Sequence, residues 1–145
     1  MVIPSTVKRF SDGLFEYNEN LTSIVLPPSV DYMGSYLFAE CTALVNVVLP
    51  TNITSIQEST FYQCRNLSSI SIPYSVETIA YGAFVYCIGL SSISCPATDI
   101  DNNAFAWCTS IESASFIALD ADSVQSLITN NSIFEGINYT LDPEG

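Results

Sequence analysis

The stretch Leu67–Gly89 reads LSSISIPYSVETIAYGAFVYCIG, a cassette of 23 residues that decides the fold. Ser69 to Ile72 alternates polar and apolar, the period of a short strand with Ile70 and Ile72 turned inward. Pro73 ends that strand, because it has no N–H to give a neighbouring ladder. Val76 and Ile79 follow at three-residue spacing, with Ala83 and Phe84 behind them. That spacing predicts a tight helical or 3₁₀ turn on the opposite side of a coil. Cys87 then leads back to Leu90 and the next strand.

Outward from this cassette the same frame recurs. Pro4, Pro27, Pro50, Pro73 and Pro96 keep the 23-residue step, and so do Phe15, Phe38, Phe61 and Phe84. Phe105 arrives two residues early. Leu21, Leu44, Leu67 and Leu90 hold the step and Ile111 follows. A fixed period of this length means one supersecondary unit stacked on copies of itself, a solenoid. About seven inward side chains per coil cannot offset the entropy of ordering a whole cassette, so no coil stands alone. Each Phe and Ile must pack between the copies above and below it.

The neighbouring coils fill in the same way. Leu21, Ile24, Leu26, Val30, Met33, Phe38 and Cys41 occupy one, and Leu44, Val47, Leu49, Ile53, Ile56, Phe61 and Cys64 the next. The fifth keeps Leu90, Ile93, Cys95, Phe105 and Cys108 but is two residues short after Pro96. Ile100 is expected to serve for both missing apolar anchors, and the loop Thr98 to Asn103 to bend unlike its neighbours.

The 145 residues suffice for one domain with a real core, and 48% hydrophobic against 12% charged argues against disorder. No apolar run approaches the roughly 20 residues of a membrane span, so membrane insertion is not expected. The N-terminus shows no basic segment followed by a long apolar stretch, so no signal peptide is expected within this chain. Fifteen acids face three bases, Lys8, Arg9 and Arg65, for a net charge of −12. That charge repels a phosphate backbone and an anionic bilayer, so neither nucleic acid nor a membrane surface is an expected partner. Solubility is the plain reading of the acidity.

The pattern Leu-x-x-Ile-x-Ile-Pro-x-x-Val-x-x-Ile-x-x-x-Ala-Phe-x-x-Cys, matched residue for residue by Leu67 to Cys87, resembles the BspA-like (Treponema pallidum-type) class of leucine-rich repeats. The resemblance runs from Ile3 to about Cys108, with Asn18 in the first copy where the others carry Cys. It implies a right-handed β/3₁₀ coil with about six short parallel strands, repeats over residues 1–118 and a cap over 119–145. The run from Asp122 to Phe134 is similar to the short capping helix of such arrays; Val124, Leu127 and Ile128 give it an apolar face, and Asp122 or Ser123 is placed to cap its start. Ile137 to Leu141 reads as a last strand. Met1 enters in mid-strand, as expected of the C-terminal part of a longer array or a piece cut from one. Members of the class are mostly surface or secreted proteins of bacteria and parasitic protists, several of them implicated in adhesion. The resemblance therefore implies a cell-surface or secreted home and a partner such as an extracellular-matrix or host-surface protein, or a glycan.

Chemistry has little foothold. The chain has no histidine, which removes Ser-His and Cys-His nucleophile pairs and the commonest metal ligand. The acids form no convergent pair and there is no Gly-rich phosphate loop, so neither catalysis nor a cofactor is expected. Cys41, Cys64, Cys87 and Cys108 hold one position of successive coils, a straight ladder that cannot surround a tetrahedral ion. With Cys95 they read as five free, buried thiols acting as small hydrophobes. Asp99, Asp101 and Asn103 resemble the start of a calcium loop, but Ala104 and Ser110 stand where its Gly and Glu belong, so a solvated turn is expected and no metal. Asn20, Asn52, Asn66, Asn130 and Asn138 each head an Asn-x-Ser/Thr triplet, against about two expected by chance; the excess suggests glycosylation only weakly and is expected to carry no meaning in a bacterium.

Two surfaces remain. Side chains facing out from the strands form an expected concave face: Ser23, Val25, Asn46, Val48, Ser69, Ser71, Ser92 and Ser94, continued by Ser113 and Ser115. They are small and uncharged, which lets a partner's backbone or a glycan approach closely; serines that merely satisfy a solvated sheet are the competing account. Tyr17, Glu40, Gln63, Tyr86 and Trp107, just before the Cys position, offer exposed aromatics or pack against adjacent coils. The expected function is non-catalytic binding by an adhesion module on the strand face. An intracellular regulatory scaffold and a structural spacer in a longer array are the alternatives. The open strand at Met1 to Pro4 could also pair with a second chain.

Overall fold

The computed structural model describes residues 3–117, 119–130 and 138–141. Its elements run β1 (Arg9–Phe10), β2 (Ser23–Val25), β3 (Tyr32–Met33), β4 (Asn46–Val48), β5 (Ser55–Ile56), β6 (Thr78–Ile79), β7 (Ser92–Cys95), β8 (Asp99–Ile100), β9 (Ser113–Phe116), α1 (Ala121–Asn130) and β10 (Asn138–Leu141). Every paired strand is parallel, as expected where like cassettes stack in one direction.

Two ladders climb the coil. On the first, Ser23 pairs with Asn46 and Val25 with Val48, and Ser92 to Cys95 pair with Ser113 to Phe116. Strand β10 continues this ladder beyond β9, in register Asn138 to Ser113 through Leu141 to Phe116. The segment Ser69–Ile72 joins only through a single bridge from Ser71 to Ser94, so the first ladder comes in two pieces. The second ladder pairs Arg9 with Tyr32 and Phe10 with Met33, and then Ser55–Ile56 with Thr78–Ile79 and Asp99–Ile100. Here the structure amends the expected helical turn. Val76 does donate its N–H to Pro73 O (3.0 Å) in a tight turn, but the chain then extends, because Glu77 and Ala80 donate to Thr54 and Ile56 of the coil before.

The corner that follows is hydrogen-bonded in alternation. The N–H groups of Ser59, Phe61 and Gln63 donate to Tyr81, Ala83 and Val85 of the next coil, at 2.8–3.0 Å. Those of Thr60, Tyr62 and Cys64 donate within their own coil, three residues back. Every donor of the corner is thereby used, as a buried backbone requires. Inside lies a column of phenylalanine rings. Phe15, Phe38, Phe61, Phe84 and Phe105 stack at 5.0–5.5 Å with planes within 13° of parallel. Such offset pairs add about 0.5–1.5 kcal/mol beyond burial.

The short coil departs from expectation. Ala97, fully buried, takes the place of Val76 two residues ahead of the strand, and Ile100 pairs with Ile79 only. One side chain does not serve twice; the two-residue deletion is absorbed between Pro96 and Thr98. From Thr98 on, the loop regains the pattern of its neighbours, with Asp99 and Asp101 donating to Glu77 and Ile79. At the other end Asp120, not Asp122 or Ser123, caps α1. Its Oδ1 accepts the Ser123 N–H (2.8 Å) and its carbonyl the Val124 N–H (3.0 Å). Val124 and Leu127 are buried against the array as the apolar face required. The side chain of Ile128 and the expected run of the helix to Phe134 lie outside the described residues.

Candidate functional site

The strand-face residues come together as a surface. Ile24, Val47, Ile70, Ile93 and Ala114 point into the core and leave their neighbours outward. Ser23, Val25, Asn46, Val48, Ser69, Ser71, Ser92 and Ser94 are exposed, as is Ser113, while Ser115 is half-buried. None carries a charge. Val25 and Val48, facing each other in register, are 64% and 46% exposed and make the apolar part of an otherwise hydroxyl-lined face.

The position before each cysteine has a feature that residue type did not reveal. Tyr17, Glu40, Gln63, Tyr86 and Trp107 all hold a left-handed backbone, with φ between 57° and 64°. Gly or Asn normally signals such a conformation, and here neither is present to do so. Tyr86 and Trp107 stack at 5.8 Å. Tyr62, absent from the sequence reading, sets its edge against Tyr86 at 6.2 Å. The two alternatives for this column thus hold together: the rings pack on adjacent coils and are also exposed.

The five thiols are free and buried. Four do more than fill space. Cys41, Cys64, Cys87 and Cys108 donate S–H to the carbonyls of Phe15, Phe38, Phe61 and Phe84, one coil back, at 2.9–3.2 Å. Burial pushes the Cys41 thiol up to about 11 and that of Cys95 to about 12, and raises Cys64 and Cys87 in the same direction. At neutral pH they are protonated and poor nucleophiles.

At the C-terminal end Asp99, Ile100, Ser123 and Leu127 line a shallow groove of ≈ 240 Å³ between β8 and α1. Asp101 accepts the Asn103 N–H (2.9 Å), which makes the calcium-like run a hydrogen-bonded turn. Among the described residues no cluster of His, Cys, Asp and Glu could hold a metal ion, and no helix is long and apolar enough to cross a membrane.

Comparison with known proteins places this geometry. The model of the BspA type leucine rich repeat region matches residues 1–116 in six copies. The chain belongs to the BspA-type leucine-rich-repeat family. This is a family of non-enzymatic repeat scaffolds. Among solved structures, a leucine-rich cell surface protein of Faecalibacterium prausnitzii is 30% identical, with a TM-score of 0.80 over 86% of this chain and 33% of that one. A leucine-rich repeat protein of T. pallidum is 26% identical, with a TM-score of 0.77 over 80% of this chain and 57% of that one. A Bacteroides ovatus leucine-rich repeat protein, 21% identical at a TM-score of 0.64 over 76% of this chain and 35% of that one, shares the fold. The BspA-type chain thus spans a third to somewhat over half the length of the first two. No curated protein matches it.

Proposed function

We propose that this BspA-type chain is a non-catalytic, protein-binding adhesion module of a cell-surface or secreted protein. Its recognition face is the first ladder: Ser23, Val25, Asn46, Val48, Ser69, Ser71, Ser92 and Ser94. One observation carries the reading. These outward side chains are exposed, small and uncharged on strands, and on the bridged segment Ser69–Ile72, held from behind by a continuous core. A rigid face of short side chains lets a partner come close at little entropic cost. The cell-surface description of the Faecalibacterium prausnitzii relative supports the location.

The test is capture from extracellular-matrix and cell-surface extracts by this chain and by the double variant Ser71→Arg, Ser94→Arg. Both sites are exposed and joined by the bridge, so the substitutions block the face and spare the core. A partner held by the parent and lost by the variant is the expected result. Equal capture by both removes the strand face from the proposal, and capture by neither removes adhesion from this chain.

A further inference from the structure

One corner of the solenoid carries side chains that the fold does not ask for. All five residues before the cysteine position are left-handed, and a non-glycine residue held there costs roughly 1–2 kcal/mol. Glycine would be cheapest, yet three of the five are Tyr17, Tyr86 and Trp107. Burial repays only part of the choice, because Tyr17 is 62%, Trp107 59% and Tyr86 38% exposed. Residues kept against backbone preference and left in solvent mark a surface that does something.

The surroundings say what chemistry it meets. Glu16 and Glu40 lie beside Tyr17, and their negative field raises its phenol above the ordinary value. Backbone bonds set Tyr17 against Ala39 and Glu40 against Tyr62 (N–H to O, 2.8 and 2.7 Å), Tyr62 touches Tyr86, and Tyr86 stacks on Trp107, so rings and carboxylates follow one another across the coils. The chain as a whole has fifteen acids to three bases. It also contains the pairing in miniature: the Arg9 guanidinium sits 4.5 Å over the Tyr32 ring. Cations are drawn to such ring faces, and more strongly where carboxylates add to the field.

We propose that the ridge Tyr17–Glu40–Tyr62–Tyr86–Trp107 binds an extended, Lys/Arg-rich segment of a partner protein. Spacing supports it. Alternate side chains of an extended peptide are about 6.6 Å apart, and the rings of Tyr62, Tyr86 and Trp107 follow one another at 5.8–6.2 Å. Along these three rings one face of the segment meets one ring per side chain. This surface lies on the turns rather than the strands and does not depend on the strand-face reading.

The test uses the intact chain and a fluorescein-labelled nonalysine peptide, read by fluorescence anisotropy at low salt. Tyr86→Gly with Trp107→Gly keeps the left-handed backbone and so the fold, and is expected to weaken binding at least tenfold. Glu16→Gln with Glu40→Gln is expected to weaken it severalfold. Asp31→Asn with Glu77→Gln removes the same charge at the second ladder and is expected to change it less than twofold. Equal losses from the two charge pairs would show that the peptide reads net charge alone. Unchanged binding without the two rings, or no binding by the parent, would equally overturn the proposal. Displacement of the peptide by neutral xylohexaose would reassign the ridge to a glycan.

Discussion

At the scale of the residue, the cysteines show how a side chain chosen for size acquires a second task. Each ladder thiol closes a bond to a carbonyl that already accepts an N–H from its own coil, so the column ties coils together at depth. The cost of ionising Cys41, Cys64, Cys87 and Cys95 is then paid in stability. Below about pH 9, the ordinary value, folded and unfolded chains both keep the protons and the contribution is intact. Above it the unfolded chain ionises first and stability falls, until the folded thiols follow at about 11 for Cys41 and about 12 for Cys95. The urea midpoint is therefore expected to drop between pH 8.5 and 10.5. A Cys95→Val variant is expected to drop less steeply, and an equal slope would remove Cys95 from the account. The residue scale is also where sequence reading reached furthest inward. Burial of Cys41, Cys64 and Cys87 followed from a spacing of 23, whereas the bond each thiol makes depends on a carbonyl in another coil.

At the scale of the element, strands of two to four residues and one ten-residue helix have no independent stability. What fixes them is the neighbour. The second ladder exists because residues such as Glu77 and Ala80 find carbonyls one coil back, although the spacing of Val76 and Ile79 alone reads as a turn. Helix α1 is held by two buried side chains and by the Asp120 cap, whose carboxyl is kept below its ordinary value by the Ser123 N–H. Asp120→Ala is expected to speed amide hydrogen exchange at Ser123 and Val124. Asp120→Asn, which still offers a side-chain oxygen, is expected to exchange nearly as the parent does. Identical exchange in the two variants would show that packing alone starts the helix. The cap was misplaced from sequence by two or three residues because Asp120, Asp122 and Ser123 are all good cap residues. Only the path of the chain out of β9 selects among them.

At the scale of the molecule, the period itself is the structural unit. The Phe38 N–H bonds to Thr60 and the Phe61 N–H to Ala83 by the same geometry, so one coil is interchangeable with another as a neighbour. Excising Leu44 to Asn66, one whole cassette, joins Ala43 to Leu67 and restores every inter-coil contact one step along. This shortened chain is expected to unfold cooperatively in urea with a smaller denaturant dependence, as less surface is exposed. Excising only Leu44 to Ser55 shifts the phenylalanine column out of line and is expected to leave no cooperative transition. A cooperative transition in the second chain would count against the coil as the unit.

The sequence by itself determined the period, the family resemblance, the phenylalanine and cysteine columns and the alternation that turns the serines outward. All of these repeat at fixed spacing and each copy reinforces the others. Tertiary structure alone decided the second ladder, the left-handed corner beneath Tyr86 and Trp107, the Ala97 anchor of the short coil, the Asp120 cap and the edge-on placing of Tyr62. The physical reason is common to them. Each turns on what the chain one coil away, or the path between coils, presents to a given backbone group or ring. For all but the Asp120 cap that partner lies some twenty residues distant, beyond any local pattern.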